Sequence, residues 1–286
     1  MLKFYSYRMS LVKVNTLFNT NSKTKEELFG DVLKNVISEK KVTFLGDGKK
    51  YFIYFDKELE KGVFSYELAK EESIKIPIEG SVTVEEDLIT RTPFVYVIID
   101  QNRQIILIQD KGTVFSDPNI ARGKLEYFFT RALKDYFITT YLEPITDNKD
   151  FWKEVEQAES ITELDITFVA PNMFRGRHKA EDLVREVYED FNITEFDVKL
   201  KSKTGNLRLM KENLASFIKL VADGAGKFKL KTKRKGRKSK IETFRSDVNT
   251  QSMTFDGDTP SDVVSEKLGE YLENLDKLNE ENQGNI

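Results

Sequence analysis

The chain has no cysteine and only one histidine, His178, among its 286 residues. The absence of cysteine excludes disulfides, thiolate zinc sites and cysteine nucleophiles. A single histidine excludes a metal site with several imidazole ligands, and a Ser-His-Asp triad could use only His178. Its polar surroundings favour an exposed residue over a ligand or a base. Any catalysis would therefore use carboxylates, lysines, tyrosines or hydroxyls, and we predict no cofactor and no metal.

Long apolar runs are also missing. No stretch approaches the ~18 consecutive apolar residues of a membrane span, and the N-terminal MLKFYSYRMSLVKV alternates in polarity where a signal peptide would be continuously apolar. We therefore expect a cytoplasmic protein. Hydrophobic residues make up 39% of the chain and aromatic residues 12%, which is enough to form a core.

The order of apolar segments predicts an α+β fold, in which antiparallel sheets built from hairpins are covered by helices. Turn sequences at 46–48, 100–103 and 204–206 predict three hairpins. Helical spacing predicts helices over 25–38, 117–136, 180–191 and 261–278. We expect an N-terminal lobe over 1–140, a second lobe with a basic hairpin over 141–258, and a C-terminal amphipathic helix over 259–286, with the first lobe as its expected packing surface.

The segment KFKLKTKRKGRKSK, residues 227–240, carries nine Lys or Arg residues and no acid, although the whole chain has a net charge of −3. Phe228 and Leu230 alternate with lysines as in a strand, and 241–244 reads as the return strand of a hairpin. Because like charges repel, such a run indicates a polyanionic partner, and nucleic acid is the first candidate. The residues predicted to contact phosphates are Lys227, Lys229, Lys231, Lys233, Arg234, Lys235, Arg237, Lys238 and Lys240.

Two other interpretations of this segment stay open. The hairpin could simply be solvated, or it could pair with the acidic region 246–286, which has ten acids and two bases. A second basic cluster, Arg175, Arg177 and Lys179, precedes a predicted helix, and a helix N-terminus is suited to binding phosphate. A polar strand-to-helix connection is the alternative for that cluster.

Two motifs resemble catalytic sequences. Asp223-Gly-Ala-Gly-Lys227 lacks the Ser or Thr that follows the lysine of a phosphate-binding loop, so Gly224 and Gly226 are better explained as the end of a helix. Asp197-Val-Lys199 has the acid-x-Lys spacing of metal-dependent nucleases, without an evident partner acid on a preceding neighbouring strand. A metal-dependent nuclease therefore remains an alternative, as does a protein-interaction module that uses the basic and acidic regions.

Several segments, in the same order along the chain, resemble the RexA-like phage-exclusion proteins of temperate phages. They are FYSYR, KYFIYF, TPFVYVIIDQNRQIILIQ, YLEPITDNKD, FDVKLKSKTGNLRL and TPSDVVSEKLGEYL. The resemblance implies a non-enzymatic, sequence-tolerant protein that binds double-stranded DNA as a homodimer in prophage-encoded anti-phage defence, with a defence or membrane protein as a further partner. The lysine-rich segment after Gly226 is an addition relative to that family, so its DNA-binding role is predicted from charge alone.

Overall fold

The structure is a computed structural model of the chain, and it describes residues 1–14, 22–77, 86–169, 179–234, 241–256 and 261–278. The described residues form six α-helices and fourteen strands. The helices are α1 (Lys25–Glu39), α2 (Pro118–Ala132), α3 (Asn148–Gln157), α4 (Lys179–Phe191), α5 (Lys211–Ala222) and α6 (Ser261–Lys277). The strands are β1 (Leu2–Lys13), β2 (Lys41–Gly46), β3 (Lys49–Glu60), β4 (Val63–Lys70), β5 (Glu72–Pro77), β6 (Glu86–Arg91), β7 (Phe94–Asp100), β8 (Ile105–Gln109), β9 (Ile138–Pro144), β10 (Ala158–Val169), β11 (Glu195–Lys201), β12 (Gly226–Arg234), β13 (Ile241–Arg245) and β14 (Ser252–Phe255).

The first sheet is antiparallel and has eight strands, in the order β14-β1-β8-β7-β4-β3-β2, with β9 also paired to β1. Two of its hairpins were predicted from their turns, and both are confirmed. Asp47 and Gly48 join β2 to β3 with positive φ angles of 50° and 71°. Between β7 and β8, the carboxylate of Asp100 accepts hydrogen bonds from the backbone N–H groups of Asn102 and Arg103, both at 2.9 Å.

Both faces of the first sheet are covered. One face packs under α1 and α2, whose apolar sides include Leu33 and Phe129. The other face packs under α6 through Leu268, Leu272 and Leu275. Every residue of β8 is buried, which is the reason that its sequence, IILIQ, shows no polar alternation.

The second sheet has four antiparallel strands in the order β11-β10-β12-β13. Helices α3, α4 and α5 cover one of its faces. Their buried side chains pack on the apolar residues of β10 and β12, such as Leu164, Phe228 and Leu230. The strands therefore alternate, with apolar side chains towards the helices and charged side chains on the opposite face. The α+β fold class is confirmed.

Two local expectations differ from the structure. The hairpin predicted around Thr204-Gly205-Asn206 is absent: within the described residues 202–210 form no strand, and β11 pairs with β10 instead. A turn sequence followed by LRLM resembles a hairpin locally, but β10 supplies a longer pairing partner. The boundary expected at residue 140 falls inside β9, which pairs with β1 along its whole length.

The second lobe is an insertion between two neighbouring segments of the first sheet. The chain leaves the first sheet at the end of β9 and returns to pair β14 with the start of β1. The two connections between the lobes lie side by side, since the backbone N–H of Gln251 donates a hydrogen bond to the carbonyl of Ile145 at 2.7 Å. None of the helices in the described ranges combines the length and the apolar character needed to cross a membrane.

Candidate nucleic-acid interface

The face of the second sheet opposite α3, α4 and α5 collects basic side chains from three strands. Alternation places Lys227, Lys229, Lys231 and Lys233 of β12 on this side, because Phe228, Leu230 and Thr232 are buried under the helices. The same alternation exposes lysines on β11 and an arginine on β13. We define the basic face as Lys199, Lys201, Lys229, Lys231, Lys233 and Arg245.

The strand register arranges these side chains in rows across the sheet. In one row, Asp165 of β10 lies between Lys199 and Lys229, and Lys229 is paired in turn with Arg245. In the next row, Glu163 lies between Lys201 and Lys231. Neighbouring strands are ~4.8 Å apart, so the side chains of one row are in contact range. Cations therefore flank the central strand on both sides.

One carboxylate, that of Glu163, is shared by three lysines. Its oxygens lie 3.1 Å from the ammonium of Lys231 and 3.4 Å from those of Lys199 and Lys201. The hydrogen bond from Lys231, followed by that from Lys199, lowers the pKa of Glu163 to about 2. The carboxylate is thus ionised at neutral pH, and three positive charges surround one negative charge.

The remaining cations of the basic face differ in their pairing. Lys199 also contacts Asp165 at 3.4 Å, and Lys233 contacts Glu159 at 3.7 Å. Arg245 is paired with Asp247. Lys229 is exposed and forms no ion pair with any part of the chain that the structure describes. The face is therefore a mixed array in which cations outnumber the carboxylates of the central strand.

Arg234 lies on the other side of the sheet. Its guanidinium contacts Glu154 of α3 at 2.6 Å and Glu242 of β13 at 3.3 Å. The hydrogen bond that this guanidinium donates to Glu154 raises the pKa of Arg234. Thr232 donates a hydrogen bond to the same glutamate at 3.2 Å. Arg234, which was predicted to contact phosphates, thus joins the strand to its covering helix and does not contribute to the basic face.

Lys227 marks the junction between the lobes. Its ammonium lies 3.9 Å from Glu143 of β9, a residue that is only 2% exposed. Burial raises the pKa of Glu143 to about 7, against the opposing effects of Lys227 and Arg122. One oxygen of this carboxylate has no hydrogen-bond partner among the described residues. The predicted phosphate contact at Lys227 therefore lies beside a carboxylate that titrates near neutral pH.

The other predicted residues lie outside the described part of the chain, or have side chains that are not described. Lys179 begins α4, as expected for the basic cluster before a helix, and its side chain is among those not described. The residues that lie outside the described ranges are Arg175, Arg177, Lys235, Arg237, Lys238 and Lys240.

The described cations of β12 do not pair with the acidic C-terminal region. Their carboxylate partners come from β9, β10, α3 and β13. Asp276 of the acidic region instead contacts Arg8 and Arg103 of the first lobe, at 3.3 and 3.4 Å. The lysines of β12 and helix α6 thus serve different parts of the molecule, although Arg245 of β13 is paired with Asp247 of the acidic region.

The candidate nuclease residues lie on the edge of the basic face. Asp197 accepts a hydrogen bond from the hydroxyl of Thr167 at 2.6 Å, and the ammonium of Lys199 is held between Glu163 and Asp165. Asp165 is the neighbouring-strand acid that the sequence did not reveal. Within the described ranges no group of three or more acidic or histidine side chains could hold a metal ion.

Sequence reasoning did not place Lys199, Lys201 and Arg245 beside the lysines of β12. The signal was present, because FDVKLK alternates lysine with apolar residues as KFKLK does. What the sequence did not reveal is that β10 lies between these strands and brings their lysines onto one face. Comparison with known proteins finds no family model and no curated protein that matches the chain.

Proposed function

We propose that the chain binds the phosphates of nucleic acid, with double-stranded DNA as the first candidate, through the basic face and the six residues that join β12 to β13. The observation that carries this proposal is the convergence of lysines from β11 and β12 on the sheet face opposite α3, α4 and α5. The joining residues, KGRKSK, add four cations and no acid at the end of the same hairpin. Such a surface would contact phosphates without reading bases.

The ion pairs of this face do not remove its attraction for a polyanion. Glu163 itself is buried, but Lys199 and Lys201 remain 51% and 61% exposed although they contact it. Water screens these pairs on the side of the ammonium groups. The lysines are therefore accessible to a phosphate without leaving Glu163, and release of condensed counterions favours binding.

The direct test replaces Lys199, Lys229 and Lys231 together with Gln. Loss of three phosphate contacts should reduce the slope of log K against log salt by about 3 and weaken binding roughly tenfold or more, equally for all sequences. The control replaces Lys34, Lys49 and Lys57 with Gln, which are exposed lysines of the first lobe. The control has the same net charge, so equal affinity of the two variants would contradict the proposal.

Arg234 provides a second control inside the hairpin. Arg234→Gln removes one positive charge but leaves the salt slope unchanged if the side chain serves only to join β12 to α3. Replacing Lys235, Arg237 and Lys238 with Ala measures the contribution of the joining residues separately. If the slope of log K against log salt decreases for Arg234→Gln but not for the variant of the joining residues, then Arg234 contacts phosphate and the joining residues do not.

The same gel-shift assay distinguishes the two alternative functions. Cleavage of plasmid that requires Mg²⁺ and is lost in Asp197→Asn would indicate a nuclease. Failure to retard DNA even at roughly 50 mM salt would indicate a module that binds only protein.

The resemblance to RexA-like proteins supports a narrower proposal, a homodimeric DNA-binding protein of anti-phage defence. Two basic faces on one duplex would raise the effective concentration of the second face. Sedimentation with and without DNA measures the dimer. Plating of phages on cells that carry the wild-type chain or the Lys199, Lys229 and Lys231 variant tests the defence role, and equal plating would contradict it.

A further inference from the structure

Helix α4 carries an exposed apolar ridge. Leu183, Val187 and Phe191 are spaced four residues apart, so they lie above one another along one side of the helix. Leu183 is 51% exposed and Phe191 is 71% exposed, while Val187 is half-buried. The side chains that attach this helix to the sheet are others, namely Ala180, Val184 and Tyr188. The ridge is thus not needed to hold α4 in place.

Acidic side chains flank the ridge on its solvent side. Asp182, Glu186, Glu189 and Asp190 are all exposed. A helical turn of 3.6 residues places these four on the sector beside Leu183, opposite the buried sector. The arginine of the helix, Arg185, is 2.5 Å from the buried Glu181 and belongs to that internal pair. The exposed part of α4 therefore combines an apolar strip with a row of carboxylates.

This surface lies on the opposite side of the second lobe from the basic face. The sheet and the buried sides of α3, α4 and α5 separate the two, because those helices pack on the inner face that Phe228 and Leu230 form. The carboxylates of α4 consequently do not neutralise the basic face. A symmetric contact with the same helix of a second copy would bring two acidic rows together, which is unfavourable.

We propose that α4 is a docking surface for a partner protein that presents a basic amphipathic helix, with apolar side chains on the ridge and Lys or Arg beside the carboxylates. Apolar anchors would supply most of the affinity, and the charges would direct the encounter and the orientation. The proposal is independent of nucleic-acid binding, since it uses no residue of the basic face. A partner on α4 and DNA on the sheet could be bound at the same time.

The test uses the full chain and synthetic helical peptides of about 18 residues, long enough to form several helical turns. One peptide has Leu at helical spacing and Lys elsewhere, a second has Glu in place of Lys, and a third has the composition of the first in scrambled order. Fluorescence anisotropy should detect binding of the first peptide only, and binding should weaken as salt rises.

Two chain variants locate the binding. Replacing Leu183 and Phe191 with Ser should weaken binding of the basic peptide roughly tenfold or more, whereas replacing the exposed Leu45 and Phe137 of the first lobe should not. Replacing Asp182, Glu186 and Asp190 with Asn or Gln should flatten the salt dependence. These positions are exposed, so the fold should persist, and far-UV circular dichroism verifies this.

The contradicting outcomes are equally specific. The proposal is wrong if the scrambled peptide binds as well as the ordered one, if the Ser variant binds like the wild type, or if no peptide binds. Sedimentation provides the remaining outcome. Self-association that the Ser variant abolishes would identify a second copy as the occupant and would overturn the proposed partner.

Discussion

The two larger sheets of this protein differ in how many of their faces are covered, and the described residues also include a two-stranded sheet of β5 and β6. The first sheet packs between α1 and α2 on one side and α6 on the other. Among the described residues, the second has helices on one side only, and its other face presents lysines and carboxylates. Strands buried on both faces need continuous apolar sequence, as in β8, whereas strands buried on one face need only alternation.

The difference shows which strand positions are not required for packing and can therefore carry charged side chains. In the first sheet nearly every side chain of β7 and β8 is committed to packing. In β12 the packing requirement is met by Phe228, Leu230 and Thr232, which leaves every second position available for charge. The predictions below test this comparison, from the largest expected effect to the smallest.

Gly226→Ala should unfold the second lobe selectively. Gly226 has a φ of 142°, and an added Cβ would lie 2.0 Å from the carbonyl oxygen of Thr167. Because backbone must move, we expect a loss of about 4 kcal/mol or more. Gly48→Ala is the control, since its φ is also positive but nothing lies within 4 Å, and it should cost only ~1 kcal/mol. Hydrogen exchange measures the loss of stability in each lobe for both variants. Equal losses of stability for Gly226→Ala and Gly48→Ala would contradict this prediction.

Leu164→Ala and Asp165→Asn compare the two faces of one strand. Leu164 is fully buried under the helices, and its neighbour Asp165 belongs to the charged side. Truncation of the leucine should cost about 3 kcal/mol through lost burial and the cavity that remains. The change at Asp165 should alter the free energy of unfolding by roughly 0.5 kcal/mol or less. Urea denaturation gives both values, and similar losses would mean that the outer face is also part of a packed interface.

Glu143→Gln should stabilise the protein at high pH. Burial raises the pKa of Glu143 to about 7 from a reference value of 4.5, so the folded state favours the protonated acid. The free energy of unfolding therefore falls as pH rises from about 4.5 through 7. Above pH 8 the variant, which cannot ionise, should be more stable than the wild type by about 3 kcal/mol, and near pH 5 the difference should be small.

The matched control for that pH dependence is Glu163→Gln. The pKa of Glu163 is lowered to about 2, so its carboxylate contributes stability that is present above pH 4.5 and lost as pH falls towards 2. Its replacement should therefore destabilise the protein at neutral pH. Thermal unfolding across pH 2–9 measures both variants, and parallel curves would show that neither carboxylate differs from an exposed one.

Glu163→Gln should also strengthen DNA binding, with the smallest of these effects. Removal of the carboxylate frees Lys199, Lys201 and Lys231 from their shared partner and adds one positive charge to the face. We expect an affinity increase of about threefold at low salt. Glu159→Gln, beside Lys233 only, should give a smaller increase. A decrease for Glu163→Gln would indicate that the carboxylate positions the lysines for DNA.

Much of the fold was predictable because its signals are local. The Asp47-Gly48 turn, the Asp117-Pro118 helix start and the strand alternation around Phe228 all act within a few residues. The hairpin wrongly expected at Thr204-Gly205-Asn206 had the same local signal. It failed because β11 pairs instead with β10, some thirty residues earlier in the chain, and a turn sequence contains no information about that distant strand.

The candidate site was predictable only in part for the same reason. The lysines of β12 follow from alternation, but their neighbours on β11 and the shared Glu163 depend on strand order. Arg234 shows the limit most clearly. It follows Lys233 directly in the basic segment. Because neighbouring residues of a strand point to opposite faces, Arg234 contacts Glu154 on the helix side of the sheet.

The contact between Gln251 and Ile145 has a consequence for how this architecture can change. Since the chain enters and leaves the second lobe at adjacent points, the residues between those points form one insertion, whose junction with the first sheet also includes the contact between Lys227 and Glu143. Different surface side chains, such as the lysines of β12 and the carboxylates of α4, can be carried by this insertion without a change in the strand pairings of the first sheet.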